Sequence, residues 1–180
     1  MNRLAARLSL AALPRERQDA VVQRWVADIL ATYPAEAAAA FAREQDPFAN
    51  PVGRSVRAGA RGVVAALCDG MDPEAIRTAV REIVQVRAVQ QFSASQAVGF
   101  VFRLKPLLRE ALRGAGGDDD VTVEEAAALD AAVDAVALAA FDVFTECREQ
   151  VGRLRLEEQK RRVAWVVDHL TGGAGETTEP

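Results

Sequence analysis

Between Thr122 and Leu170 the sequence contains no proline and a single glycine, Gly152. Helical periodicity persists across that whole stretch. Ala126, Leu129, Val133, Val136, Ala140, Val143 and Cys147 step by three and four, the spacing of a coiled-coil or bundle seam. Leu156, Val163, Val166 and Leu170 resume a stripe after "GRLR". A continuous helix of roughly 49 residues would be ~73 Å long at ~1.5 Å per residue. A compact chain of this size is about half as wide, from an expected radius of gyration near ~15 Å. The helix must therefore either break near Gly152 or protrude. A protruding basic amphipathic helix ordinarily finds a partner. The charged stretch "RLRLEEQKRR" (153–162) reads either as a solvated face or as a partner surface beside the seam. The residues expected to form such a surface are Val143, Cys147, Leu154, Leu156, Val163 and Val167, and a homodimer is its simplest product.

The rest of the chain reads as shorter helices, with no sustained strand alternation. Pro14 fits a first helical turn, and Val21, Val22, Trp25, Val26, Ile29 and Leu30 form the stripe that follows. Pro34 stops that helix and opens an alanine-rich one to about Arg43. "EQDPFANPVG" (44–53) reads as a loop. A helix from about Arg54 to Leu67 carries the small residues Ala58, Ala60 and Gly62, which permit close packing. Asp72 and Pro73 supply an N-cap and a first helical residue. Ile76, Ala79, Val80, Ile83 and Val84 then point inward, to a helix end at Phe92. Ser93 and Gln96 make a capping box for the next helix, and Pro106 must kink or restart it. "RGAGGDDD" (113–120) reads as a flexible break and "TGGAGETTEP" (171–180) as a disordered tail. The expectation is an all-α single domain over 1–170, a compact bundle of about six to seven helices with a long C-terminal helix.

Several function classes find no support. A net charge of −4 argues against nucleic-acid binding through bulk electrostatics, and no basic helix-turn-helix is evident. There is no P-loop, GxGxxG, GxSxG or HExxH. The single histidine, His169, falls near the C-terminus as a solvated side chain, so no haem ligand, metal site or cofactor is expected. Cys68 and Cys147 lack metal-ligand spacing and suit a reducing compartment. No apolar stretch approaches the ~20 residues that span a bilayer, and "MNRLAARLSLAAL" lacks the apolar region of a signal peptide. These readings point to a cytoplasmic, non-enzymatic domain without membrane insertion. Phe100, Phe102, Phe141 and Phe144 read as core.

"VRAVQQFSASQAVGFVFRLK" (86–105) is the informative exception. At about 100° per residue, Arg87 falls almost directly over Ile76, and Gln90 lies close to the same inward stripe. A buried guanidinium without a partner costs several kcal/mol, so it must meet a carboxylate, helix-end carbonyls or a bound anion. One reading is an internal brace, to Asp46 or to carbonyls of the "NPVG" loop. The other is a ligand or switch site built from Arg87, Gln90, Ser95 and Gln96.

"NPVG" (50–53), this central stretch and "FDVFTECREQVGRLRLEEQKRR" (141–162) together resemble the RsbRD N-terminal domain family, in collinear order over nearly the whole chain. Gln91 and Ala94 stand where family members are expected to carry an aspartate or proline. The resemblance implies an all-helical sensory or regulatory input domain with a haem-free globin-like fold that dimerises through its last helices. In multidomain relatives such a domain precedes a STAS domain of the stressosome and antagonises release of the kinase-like regulator RsbT. A stand-alone version lacking the STAS domain is expected here. The expected function is regulation in bacterial signal transduction through protein–protein binding, with a small-molecule ligand as a second option. The alternative is an accessory subunit of a larger enzyme or membrane complex.

Overall fold

The computed structural model describes residues 10–44, 46, 49–90, 92–113 and 122–172. Its helices are α1 (Arg15–Leu30), α2 (Ala35–Arg43), α3 (Pro51–Cys68), α4 (Pro73–Val89), α5 (Ala94–Val98), α6 (Leu104–Arg113) and α7 (Val123–Gly172), with a 3-10 segment at Gly99–Arg103 between α5 and α6. Among the described residues there is no strand. The all-helical class and the long last helix are as the periodicity predicts. The "GAGGDDD" part of the anticipated flexible break and residues 173–180 of the anticipated tail lie outside the described residues. Thr171 and Gly172, assigned to that tail by sequence, are the last helical residues.

Helices α3 and α4 pack extensively against each other, and small residues permit a close approach. A Cβ added at Gly59 would lie 2.6 Å from Ile83 Cγ1 and 2.7 Å from the Ala79 carbonyl oxygen, and one at Gly62 would lie 2.7 Å from Ala79 Cβ. The sequence pointed to Ala58, Ala60 and Gly62, but Ala58 is exposed and Gly59 makes the tightest contact. Helix α1 packs across α3 and α6, and the first half of α7 lies along α4. Trp25, Ile29, Val63, Leu67, Ile83, Leu104, Leu129 and Val136 fill the space between them.

The "NPVG" segment is a helix start rather than a loop end. Asn50 caps α3 by accepting from Gly53 N at 2.7 Å, and Pro51 occupies the first helical position, where no N–H is needed. The buried Asn50 Nδ2 donates to Phe41 O and Glu44 O, both at 2.8 Å, so one side chain closes α2 and opens α3. Downstream, α4 ends at Val89 instead of Phe92. Both halves of the Ser93/Gln96 capping box form. Pro106 is accommodated by a restart: the chain passes through the 3-10 segment, and the proline falls in the first turn of α6.

Helix α7 runs 50 residues without a break, with Gly152 inside it. Its buried residues, among them Leu129, Val133, Val136, Ala140 and Val143, form the seam that the 3/4 spacing predicts. That seam faces the chain's own bundle. Val143, read from sequence as part of a partner surface, is 0% exposed and belongs to the core. Phe102 and Phe141, read as core, are about half exposed (48% and 50%), because Phe141 sits on the outer side of α7 and Phe102 on the outer side of the 3-10 turn. From Gly152 to Val166 every described side chain is exposed.

Arg77 and Arg81 of α4 both pair with Glu146, Arg81 at 2.9 Å, and their hydrogen bonds hold the Glu146 carboxyl below its usual range. Arg109 and Asp130 join α6 to α7. Both cysteines are free. Burial, with Asp69 adding, pushes the Cys68 thiol up to about 11, while Cys147 is only half-buried. Thiolate is the reactive form, so titration of the native protein with an aromatic disulfide at pH 8 is expected to show one fast thiol, lost in Cys147→Ser, and a second that reacts only on unfolding. Two fast thiols would contradict this packing.

Candidate functional site

Arg87 is 0% exposed and sits at the C-terminal end of the α4 core stripe, one turn beyond Val84. Its Nη1 donates to Gln96 O at 3.0 Å, and its Nη2 donates to Ile29 O at 3.1 Å and to the Thr32 hydroxyl. Thr32 in turn donates to Ile29 O at 2.6 Å. The guanidinium carbon also lies 5.0, 4.9 and 4.9 Å from the ring centres of Tyr33, Phe92 and Phe100. One cation therefore ties together the end of α1, the end of α4, and α5.

The electrostatics explain why a full charge is tolerated there. Ile29 lies in the last turn of α1, where the helix dipole presents its negative end. Three aromatic faces supply further attraction, stronger where water is excluded. Burial pulls the guanidinium down from its ordinary value and the nearby Tyr33 opposes that shift, but an arginine stays protonated. Burial raises the Tyr33 hydroxyl, with the Arg87 charge acting against it. That hydroxyl lies against the guanidinium without completing an aligned hydrogen bond. Buried polar atoms left without a partner include Tyr33 Oη, Arg87 Nε and Gln90 Oε1.

Of the four residues singled out by sequence, the structure brings Arg87 and Gln96 together, through the Gln96 main-chain carbonyl. The Gln96 side chain faces outward and accepts from Ser93 N at 3.0 Å. Ser95 is exposed, its hydroxyl 3.1 Å from that of Ser93. Gln90 is the half-buried C-cap of α4. The far end of the Arg87 contact is the α1 C-terminus, not Asp46 or the "NPVG" loop, because Asn50 already organises that loop. Sequence reasoning missed Thr32 and Tyr33, which meet Arg87 across more than 50 positions of chain; such a pairing leaves no periodic signal. It also missed Trp25, whose indole N–H donates to Phe100 O at 3.0 Å behind the same cluster.

Two surface grooves lie elsewhere. One of about 730 Å³ runs between α3 and α4 past Gly62 and Ala79. Another of about 530 Å³ lies over Val22, Val26 and Leu30, with Arg57 and Arg61 on its rim. Neither is lined by Arg87. Among the described residues no group of His, Cys, Asp and Glu side chains could hold a metal ion, and no helix is long and apolar enough to cross a membrane.

Of the remaining partner-surface candidates, Cys147 is half-buried against the core, and Leu154, Leu156 and Val163 are exposed on α7. The side chain of Val167 lies outside the described residues. The same exposed length of α7 also carries Trp165 and Val166. Arg148, just before it, donates to Ala88 O at 3.3 Å, which joins this helix to the end of α4 beside Arg87.

Compared with known proteins, residues 19–159 match the family described as RsbT co-antagonist protein rsbRD N-terminal domain. No curated protein and no solved structure matches significantly.

Proposed function

The chain belongs to the RsbT co-antagonist protein rsbRD N-terminal domain family, and we propose that it is a non-enzymatic regulatory domain whose working contact is a protein bound along the exposed face of α7. Membership makes it a stressosome-type regulatory input domain of signalling. The observation that carries the binding surface is the state of residues 152–166. They stay helical while exposing Leu154, Leu156, Val163, Trp165 and Val166 to water. An isolated helix of that length is marginal in water, and helices in proteins owe most of their stability to an apolar face that is covered. At about 100° per residue Leu156, Val163 and Val166 share one side of this length, with Leu154 and Trp165 on the opposite side, and exposed apolar residues grouped in this way support an interaction site.

The direct test is Leu156→Glu/Val163→Glu. Both side chains are exposed, so the bundle is expected to melt as in wild type. Partner proteins retained from a lysate of the source organism are expected to bind roughly 100-fold more weakly, since two charges replace apolar anchors. Unchanged retention would sink the proposal.

A second reading rests on the unpaired Arg87 Nε, Tyr33 Oη and Gln90 Oε1. A small polar ligand would find both donors and acceptors there, and its binding would be felt at the α1–α4 junction and, through Arg148, at α7.

A further inference from the structure

Helix α3 has no acidic side chain and carries three arginines, Arg54, Arg57 and Arg61, which step by three and four along one face. The chain as a whole has a net charge of −4. Arginines on other helices find carboxylates: Arg24 pairs with Glu110, Arg77 and Arg81 with Glu146, and Arg109 with Asp130. Among the described residues none of the three on α3 is ion-paired. Arg54 also lies near the N-terminus of α3, where the helix dipole favours an anion over a cation.

Beside this row runs the groove of about 530 Å³, floored by Val22, Val26 and Leu30 of α1 with Ala42 of α2. No residue of α7 lines it. Arg57 Nη2 donates to Phe41 O at 2.9 Å, and Arg61 Nε donates to Arg57 O at 3.3 Å. Those bonds hold both guanidinium groups at the rim and use one N–H of each, which leaves the others available to a ligand.

We propose that this groove docks an acidic amphipathic helix of a partner protein. The α1 wall from Asp19 to Leu30 extends ~17 Å at ~1.5 Å per residue, about three helical turns. Apolar residues spaced by three and four in the occupant fit along Val22, Val26 and Leu30, as amphipathic helices do in apolar grooves. Carboxylates on its flank, at the same spacing, meet the arginine row, whose planar forks bind them through paired N–H groups. Asp19, at the opposite end of the wall from Leu30, asks for a basic residue there and so fixes the direction of the occupant. A nucleic acid would meet the same arginines but leave the apolar floor uncovered and bring phosphates toward Asp19. This contact is separate from the α7 surface and does not depend on it.

Fluorescence anisotropy with two labelled synthetic peptides decides it. One is a helical peptide with leucines at i, i+3 and i+7 and glutamates along one flank; in the other, lysines replace the glutamates. The full chain is expected to bind the glutamate peptide at micromolar concentration, more weakly at high salt, and the lysine peptide roughly tenfold less tightly. Arg54→Glu/Arg61→Glu, which changes two exposed side chains, is expected to weaken the glutamate peptide roughly tenfold and to strengthen the lysine peptide. Leu156→Glu/Val163→Glu is expected to leave both affinities unchanged.

No binding of the glutamate peptide at hundreds of micromolar would overturn the proposal. So would equal affinity for the two peptides, or a folded Arg54→Glu/Arg61→Glu variant that binds the glutamate peptide as wild type does. A single-stranded oligonucleotide that displaces the peptide and binds more tightly at matched salt would reassign the arginine row to phosphate and overturn it too. Loss of peptide binding in Leu156→Glu/Val163→Glu would place the peptide on α7 and overturn the groove, while the α7 reading itself stands or falls on partner retention alone.

Discussion

Arg87→Ala is expected to lower the unfolding free energy by about 3–4 kcal/mol, the sum of a large side-chain deletion and the loss of buried hydrogen bonds. In a chain of this size that corresponds to a melting temperature roughly 10 °C lower. The guanidinium occupies the junction of three helices, donating to Ile29 O, Thr32 and Gln96 O and stacked among Tyr33, Phe92 and Phe100. Truncation leaves a polar-walled cavity in place of those contacts. Arg87→Lys is expected to cost nearly as much, because a point charge cannot serve several acceptors in one plane and stack on rings as well. Arg87→Met is expected to cost less, since replacing a buried charge by an apolar side chain of similar volume is often close to neutral. Chemical denaturation of the three variants measures this ordering. A loss below ~1 kcal/mol in Arg87→Ala would show that the cluster does not hold the bundle together. A stable Arg87→Met protein that no longer regulates its partner would assign the charge to signalling instead.

Gly59→Ala is expected to cost about 2–3 kcal/mol, at the upper end of what overpacking costs in a well-packed core. The added Cβ would stand 2.7 Å from the Ala79 carbonyl oxygen and 2.6 Å from Ile83 Cγ1. The first is main chain and cannot rotate away, so α3 and α4 must separate and the core between them loosens. The intrinsic helix preference of alanine over glycine, about 1 kcal/mol, works in the opposite direction and is outweighed. Gly99→Ala is the control. Nothing lies within 4 Å of its Cβ position and its φ of −57° suits any residue, so its stability is expected to stay within about 0.5 kcal/mol of wild type or to rise. Equal effects at the two positions would contradict the close α3–α4 approach.

Much of this architecture is local and therefore legible along the chain. The Asp72 and Ser93 caps, the breaks at Pro34 and Pro106, and the α7 seam all depend on residues within a turn or two of each other. Periodicity also placed Arg87 over Ile76, and the cost of burying a charge required that it find partners. Where local reading failed, a non-local contact was responsible. Asn50 turned "NPVG" from loop into helix start by also closing α2. Val143 passed from partner surface to core because α4 and its neighbours cover that side of α7, while Phe141, two residues earlier, was left facing outward.

Helix class, element order and a long last helix follow from sequence alone, since backbone hydrogen bonding and apolar spacing act over a few residues, whereas its 50-residue run without a break at Gly152 is read only from the structure. Which residues meet Arg87 and which side of α7 stays in water were settled only when the helices packed. A guanidinium accepts many partners and a helix has more than one apolar stripe, so their choice depends on which neighbours the fold brings within a few ångströms.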